Sequence, residues 1–103
     1  MIRHCVMLNL QDDAQEKLLP VLEGLAALVD TLEGCSGFVA GVNRDFESKS
    51  PNHAFGFMFD AEDETALNTY AEHPRHKQLG ATLVSLCKGG ADGILVFDIE
   101  VTP

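Results

Sequence analysis

The chain has 103 residues, 46% of them hydrophobic, and its 16 acidic residues against seven basic ones give a formal net charge of −9 at pH 7. A chain of this length can bury one modest core, so we expect a single domain over residues 1–103. The acidic balance disfavours nucleic-acid binding and attachment to anionic membranes, because both require basic surface. No apolar run approaches the roughly 20 residues of a membrane span, so no membrane segment is expected.

The first residues and the cysteines indicate the compartment. The opening "MIRHCVMLNLQDD" has neither a continuous apolar stretch nor a small-residue cleavage site, so it does not resemble a signal peptide. Cys5, Cys35 and Cys87 are odd in number and widely spaced, a pattern typical of buried, reduced thiols. The sequence therefore predicts a cytoplasmic protein. A catalytic thiolate stays open, although no neighbouring residue indicates one.

The first two predicted elements are a strand and a helix. Residues 2–10 alternate, which predicts a strand with His4 on an apolar face. A helix follows, since apolar residues recur at intervals of three and four. Asp13 and Glu16 resemble a capping box at its start, and Gly34 is a plausible stop. Pro20 predicts either a bend or a helix that begins near Leu19. The apolar stripe comprises Leu18, Leu22, Leu25, Val29 and Leu32.

Two further strands and a second helix follow. "CSGFVAGVNRDF" predicts a short strand and "ESKSPN" a loop. "HAFGFMFDAED" predicts a third strand with His53, Phe55, Phe57 and Phe59 on one face. The helix after Asp60 carries its acidic residues in the first turn, where they complement the helix dipole. These acids are Glu62, Asp63 and Glu64.

The stretch "YAEHPRHKQLG", residues 70–80, collects the only tyrosine and two of the four histidines. Pro74 must interrupt the helix there, and it disfavours a helical conformation for His73. Tyr70 therefore closes one helical piece, and His76 lies in the first turn of the next. His76 also continues into a leucine stripe, so its side chain is expected to face the sheet. "ILVFDIEV" predicts the last strand.

The resulting order, β-α-β-β-α-β, predicts a ferredoxin-like α+β fold with an antiparallel sheet and helices on one face. The strands "CVML", "GFVAGV" and "ILVF" leave apolar side chains on the other face as well. A large uncovered apolar face indicates a partner. We therefore expect a homodimer packed sheet against sheet.

The histidine pattern predicts a site between the sheet and the helices. His4, His53 and His76 fall on inward faces, and Tyr70 enters from the helical layer. A single histidine on an apolar face is more often a hydrogen-bonded core residue, and that interpretation stays open. Three such rings are harder to explain this way, because each needs partners for two nitrogens. His73 is either a ligand-binding residue or simply a helix cap.

Neutral imidazoles and a phenol in an apolar cleft suit proton transfer. The nearby helix N-terminus disfavours protonated His76, which keeps this ring available as a base. Tyr70 could donate a hydrogen bond to a carbonyl that gains negative charge. The reaction class is then proton abstraction next to a carbonyl, as in enolisation, aldol closure or isomerisation. A metal is the alternative, since imidazoles suit zinc or iron, but no HExxH motif or nearby carboxylate completes a ligand set for His73 and His76.

At these residues the chain resembles the stress-responsive dimeric A/B barrel (Dabb) family. The resemblance rests on "MIRHCVMLNL", "FDAEDETALNTYAEHPRHKQL" and "ILVFDIEV", and it covers almost the whole chain. It implies a ferredoxin-like subunit that pairs through its sheet into a dimeric α/β barrel. The family's plant polyketide cyclases of the olivetolic-acid-forming type imply an intramolecular aldol closure without metal or organic cofactor. Pro20 and "CKGGADG" depart from the family pattern, which affects the expected shape of the pocket.

By similarity, Tyr70 and His76 match the catalytic tyrosine–histidine pair of those cyclases. His4 matches the histidine of their first strand and His53 the one that begins the third. The main hypothesis is therefore a cofactor-free cyclase, lyase or isomerase acting on a small, apolar, polyketide-like carbonyl compound. In it, His76 is the base, Tyr70 assists, and His4 and His53 place substrate oxygens. The remaining predicted substrate-binding residues are Phe55, Phe57, Leu83 and His73.

Two other functions stay open. One is a non-catalytic stress-response or small-molecule-binding dimer whose histidines only satisfy one another. The other is a haem- or quinol-handling monooxygenase, because such enzymes share the dimeric barrel. The lack of tryptophan and of any axial-ligand context disfavours the monooxygenase.

Overall fold

In the computed structural model, which describes residues 1–102, four strands form one antiparallel sheet in the order β2-β3-β1-β4. Three helices accompany the sheet, and the second and third directly follow one another. This arrangement confirms the predicted ferredoxin-like α+β fold. The elements are β1 (Ile2–Leu8), α1 (Gln15–Thr31), β2 (Cys35–Val42), β3 (Phe55–Ala61), α2 (Glu64–Glu72), α3 (Pro74–Ser85), a 3₁₀ turn (Gly90–Gly93) and β4 (Ile94–Glu100).

Helix α1 begins differently from the sequence prediction. Its N-cap is Ala14, which makes no side-chain hydrogen bond, and Asp13 has a φ of 65°. The predicted capping box of Asp13 and Glu16 is therefore wrong, because the left-handed backbone at Asp13 places this residue before the cap. Pro20 lies inside the helix with its ring exposed to solvent. A start near Leu19 is thus also wrong, since the helix already begins at Gln15.

The break between α2 and α3 has the predicted position and a clear cause. Asp63 caps α2, and its Oδ1 accepts a hydrogen bond from the Ala66 N–H at 2.9 Å. His73 is extended, with φ −65° and ψ 132°, and Pro74 is the first residue of α3. The His73 Nδ1 accepts a hydrogen bond from the Arg75 N–H at 3.0 Å. His73 therefore caps α3, one of the two roles that the sequence left open.

The connection between β2 and β3 is longer than predicted and is held by its own side chains. The Asn43 Nδ2 donates to the His53 carbonyl and to the Ser50 Oγ, each at 2.8 Å. The Asp45 Oδ1 accepts hydrogen bonds from the backbone N–H groups of Lys49 and Ser50. Because this network fixes residues 43–54 as a loop, β3 begins only at Phe55. The prediction that His53 lies on the third strand is wrong.

The core lies between one face of the sheet and the helices. The opposite face is apolar and open, since several of its large hydrophobic side chains are exposed to solvent. The register places these residues on one face, because Cys5 pairs with Met58 and with Phe97, and Met58 also pairs with Val39. We call this surface the outer sheet face. Its exposed apolar residues are Val39, Met58, Leu95, Phe97 and Ile99.

The three thiols are unpaired, and none lies in a setting that would activate it. Cys5 and Cys87 are buried, and Cys35 is half-buried. Burial raises the pKa of all three thiols above the ordinary value, so the nucleophilic thiolate is disfavoured. Within residues 1–102, no helix is both long and apolar enough to cross a membrane.

Candidate functional site

A cavity of about 450 Å³ lies between α3 and the sheet, on the side of strands β1 and β4. Most of its lining is aliphatic or aromatic, while His4, Tyr70 and His76 supply ring polar groups. An apolar pocket with a few convergent polar groups is the usual form of a small-molecule site. The lining residues are His4, Val6, Leu25, Phe57, Tyr70, His76, Lys77, Gly80, Ala81, Leu83, Val84, Ile94 and Val96.

His4 reaches this cavity from β1, on the face that also carries Val6 and Leu8. Its ring packs beside Phe59, with centroids 5.1 Å apart, and meets the Tyr70 ring edge-on at 5.7 Å. The His4 Nδ1 lies 2.6 Å from the Oδ1 of Asp98, the residue directly opposite on β4. Two aromatic rings and one carboxylate thus fix the orientation of this imidazole.

Tyr70 lies in the last turns of α2, and its ring is packed between aromatic neighbours. The Phe59 centroid is 4.6 Å away and the His76 centroid 4.3 Å. Tyr70 is only 2% exposed, and its hydroxyl makes no hydrogen bond with residues 1–102. Among those residues no buried side-chain N or O atom lacks a partner, so the small exposed part of Tyr70 must include its hydroxyl. Because Tyr70 lines the cavity, this hydroxyl is available to a ligand there.

Burial also determines the protonation state of the phenol. It raises the pKa of Tyr70 well above the ordinary value of 10.0. The low-dielectric surroundings disfavour the phenolate, so the hydroxyl keeps its proton at neutral pH. Tyr70 can therefore act as a hydrogen-bond donor to an oxygen inside the cavity.

His76 occupies the first turn of α3, where the helix break turns its ring toward Tyr70. Its Nδ1 lies 2.9 Å from the Ala71 carbonyl oxygen. A carbonyl oxygen only accepts, so the neutral ring must carry its hydrogen on Nδ1, which leaves a lone pair on Nε2. Burial lowers the pKa of His76 below 6.5, and the nearby His4 and Lys77 act in the same direction. At neutral pH His76 is thus an uncharged base.

The structure places the predicted site residues in two groups. His4, Tyr70 and His76 border one cavity, with Phe57 and Leu83 in its wall. Three others lie outside the lining. His53 belongs to the β2–β3 loop, His73 caps α3, and Phe55 is buried in the core.

Several residues that sequence reasoning did not select also border the site. Ile94 and Val96 of β4 and Lys77 of α3 are among its lining residues. Asp98 continues the same alternation two residues after Val96, and it contacts His4. The alternation of "ILVFDIE" is visible in the sequence, but the pairing of β4 with β1 is needed to bring Asp98 to His4. Among residues 1–102, no group of three potential metal-ligating side chains is close enough to hold a metal ion.

Comparison with known proteins identifies the family. The family model of the stress responsive A/B barrel domain (Dabb) matches residues 2–101. The chain belongs to the Dabb family. No curated protein matches it in sequence.

Solved structures share the ferredoxin-like fold of this Dabb protein. A dimeric ferredoxin-like protein of unknown function from Jannaschia sp. CCS1 is 40% identical, with a TM-score of 0.93 over 97% of this chain and 98% of that one. The Arabidopsis thaliana protein At3g17210 is 23% identical, with a TM-score of 0.84 over 100% of this chain and 97% of that one. An antibiotic biosynthesis monooxygenase is 17% identical, with a TM-score of 0.78 over the full length of both chains. The last two likenesses show the fold alone.

Proposed function

We propose that this Dabb protein catalyses proton transfer next to a carbonyl group, as a cofactor-independent cyclase, lyase or isomerase. The observation that carries the proposal is the convergence of Tyr70 and His76 at one apolar cavity, with ring centroids 4.3 Å apart. One side chain is a protonated donor and the other a neutral base, and each state follows from burial. Groups held in opposite proton states side by side are typical of acid–base sites.

The reaction can be stated atom by atom. The His76 Nε2 takes a proton from the carbon next to the carbonyl, and the electron pair of that C–H bond forms an enolate. The enolate oxygen accepts a hydrogen bond from the Tyr70 hydroxyl as its negative charge develops. Protonated His76 then returns the proton to another position or face of the enolate, which isomerises the substrate. Alternatively, the enolate carbon attacks a second carbonyl of the same molecule, and the resulting alkoxide takes the proton from His76, which completes a ring. His4 contacts the ligand, and Phe57 and Leu83 hold its apolar part.

The cavity favours a small molecule with a hydrocarbon portion. Its volume of about 450 Å³ lies within the range of small-ligand pockets. Val6, Leu25 and Val96 are part of its apolar lining, so an alkyl chain would remove this surface from water. Such a substrate matches the polyketide-like class that the family resemblance implies.

We also propose that the protein is a homodimer joined through the outer sheet face. The Jannaschia protein, with 40% identity, is described as dimeric. The outer sheet face presents Leu95, Phe97 and Ile99 to solvent, and a contiguous apolar surface of this kind is typical of an interface. The cavity lies on the opposite side of the sheet, so pairing through this face leaves it accessible.

A hydrogen–deuterium exchange assay tests the proton-transfer proposal without knowledge of the natural substrate. Methyl n-alkyl ketones of increasing chain length are incubated with the protein in D₂O, and exchange next to the carbonyl is followed by NMR. We expect exchange above the buffer rate, with a preference for the longer chains. Tyr70→Phe and His76→Gln should each lower the rate by about 100-fold, the usual contribution of a positioned acid or base.

The matched control is Thr82→Ala, which changes an exposed residue of α3 outside the cavity. This variant should exchange ketones as fast as the unmodified protein, and circular dichroism should show that all three variants are folded. Exchange at the buffer rate with every ketone would contradict the proposed proton-transfer activity. Ketone binding without exchange would instead identify a non-catalytic binding protein.

A further inference from the structure

Asp98 makes the shortest polar contact to any ring in the cavity. Its Oδ1 lies 2.6 Å from the His4 Nδ1, and the two residues are direct cross-strand partners on β4 and β1. The His4 side chain is 13% exposed and the Asp98 side chain 42% exposed, so the contact lies at the rim of the cavity wall. Asp98 itself does not line the cavity. It reaches a ligand only through His4.

We propose that Asp98 is a positioning residue that fixes His4 as a hydrogen acceptor of the cavity. An ionised carboxylate only accepts hydrogen bonds, so the hydrogen between Asp98 and neutral His4 belongs to the His4 Nδ1. The opposite nitrogen, Nε2, then carries the lone pair. Which nitrogen of a histidine is protonated is set by the partner of the other nitrogen, often a carboxylate.

The packing of the ring determines where this lone pair points. The centroid of the His4 ring lies 5.1 Å from that of Phe59 and 5.7 Å from that of Tyr70, and the His4 Nδ1 contacts Asp98. The His4 Nε2 makes no hydrogen bond within residues 1–102, and none of their buried nitrogens is left without a partner. The Nε2 therefore reaches solvent, and the cavity is the solvent space that His4 borders.

His4 and His76 therefore differ in the group that contacts the Nδ1 of each ring. Both present an Nε2 lone pair, but the Nδ1 of His76 is held by a neutral carbonyl and that of His4 by a carboxylate. A proton taken up by His4 forms an imidazolium directly paired with a negative charge. His4 is thus suited to accept a hydrogen from an enol or hydroxyl of the ligand, while Tyr70 donates to a carbonyl oxygen. The ligand class that fits is an enolised 1,3-dicarbonyl compound or a phenol.

Imidazole NMR tests the contact in the ligand-free protein. Long-range ¹H–¹⁵N spectra, recorded at a pH where the ring is neutral, distinguish its two tautomers. We expect hydrogen on the Nδ1 of His4 in the unmodified protein. Asp98→Leu removes the acceptor while keeping a side chain of similar shape, so hydrogen should then move to Nε2. Asp98→Asn retains an oxygen that can accept and should keep the original tautomer.

Glu100→Gln is the matched control, because it removes one charge two residues further along the same face of β4 without touching His4. This variant should leave the His4 tautomer unchanged. Hydrogen on the Nε2 of His4 in the unmodified protein would overturn the proposal. So would an Asp98→Leu spectrum that shows the same tautomer as the unmodified protein.

The catalytic consequence rests on the proposed function and is tested separately. In the exchange assay run with an n-alkyl 1,3-diketone, whose enol hydroxyl His4 can accept, Asp98→Leu should lower kcat by about 10- to 100-fold, a part of what an acid–base group contributes, with KM nearly unchanged. Asp98→Asn should retain more activity than Asp98→Leu. If the His4 tautomer responds as expected but neither the unmodified protein nor any variant speeds exchange, the proposed enzymatic function is contradicted and the positioning of His4 by Asp98 stands. If the Asp98 variants exchange as fast as the unmodified protein, a role of Asp98 in catalysis is excluded.

Discussion

At the scale of single residues, the cavity holds three polar rings that differ in what surrounds them. Burial keeps Tyr70 protonated and His76 neutral. A carboxylate instead occupies one nitrogen of His4. The surroundings of each ring thus give it a separate chemical role. The shifted pKa values of His76 and Tyr70 also make activity and stability depend on pH.

The first prediction concerns the pH dependence of exchange. The base form of His76 is the neutral one, and its pKa is lowered from 6.5, so kcat/KM should rise with pH through a midpoint below 6.5. Because the pKa of Tyr70 is raised above 10.0, activity should then stay constant past pH 10. Rates measured from mildly acidic to alkaline pH check both limits. An acidic midpoint above 6.5 would assign the base to another residue.

The second prediction concerns stability at high pH. Unfolded tyrosine loses its proton near pH 10, whereas buried Tyr70 still holds its proton there. The folded state then binds more protons than the unfolded state, so the contribution of Tyr70 to stability is complete below pH 10 and is lost as pH rises further. Urea unfolding at increasing pH should show a steeper loss for the unmodified protein than for Tyr70→Phe. Equal slopes would mean that the phenol is not held in its protonated form.

The sequence predicted part of this site from local spacing alone. His4 follows from strand alternation, and Tyr70 and His76 follow from the proline between them. His53 does not lie on the predicted strand because the Asn43 side chain binds its carbonyl and keeps the chain in a loop. Asp98 was not predicted, since its contact with His4 joins residues 94 positions apart. Only strand register brings such a pair together.

At the scale of elements, the junction of α2 and α3 gives the site its shape. Pro74 cannot continue α2, and the His73 side chain satisfies the Arg75 N–H at the new N-terminus. The turn allows the Nδ1 of His76 to reach back to the Ala71 carbonyl, which aims the ring at Tyr70. The proline predicted this break from the sequence. By contrast, Pro20 does not end α1, which continues to Thr31; Pro20 lies on the exposed side of the helix, where water can solvate the carbonyl that loses its N–H donor.

The third prediction concerns the cap of α3. His73→Ala removes the acceptor of the Arg75 N–H and should cost about 1 kcal/mol of the free energy of unfolding, as is usual for a lost cap. His73→Asn supplies another good cap and should restore most of this loss. Urea denaturation of both variants measures the difference. Equal stability of the Ala and Asn variants would show that the side-chain cap contributes nothing.

At the scale of the whole molecule, the two faces of one sheet have different neighbours. One face is covered by helices and carries the cavity, while the outer sheet face presents apolar side chains to solvent. The apolar character of both faces was visible in the strand sequences. Which residues share a face depends on register, since the β2–β3 pairing shifts between Ser36 and Val39. Short-range alternation does not reveal such an irregularity.

The fourth prediction concerns this second face. Phe97→Asp places a charge on the outer sheet face, at the midpoint of edge strand β4, where burial against a second copy would be costly, and should convert the dimer to a monomer at micromolar concentration. Leu19→Asp adds the same charge at an exposed position of α1 and should leave the dimer intact. Sedimentation velocity measures both variants. A monomeric unmodified protein, or a Phe97→Asp dimer, would contradict the proposed interface.

Strand β1 joins these two surfaces through adjacent residues. His4 faces the cavity, and Cys5, the next residue, faces the opposite way beside Met58 and Phe97. In the proposed homodimer, a second copy that orders β1 would also order the His4 ring, so self-association and ligand binding would be thermodynamically linked. By mass action, a ligand that prefers the ordered site must strengthen the dimer, and dilution must weaken the ligand's affinity to the same extent. In that case, protein concentration would be a variable that sets the occupancy of the cavity.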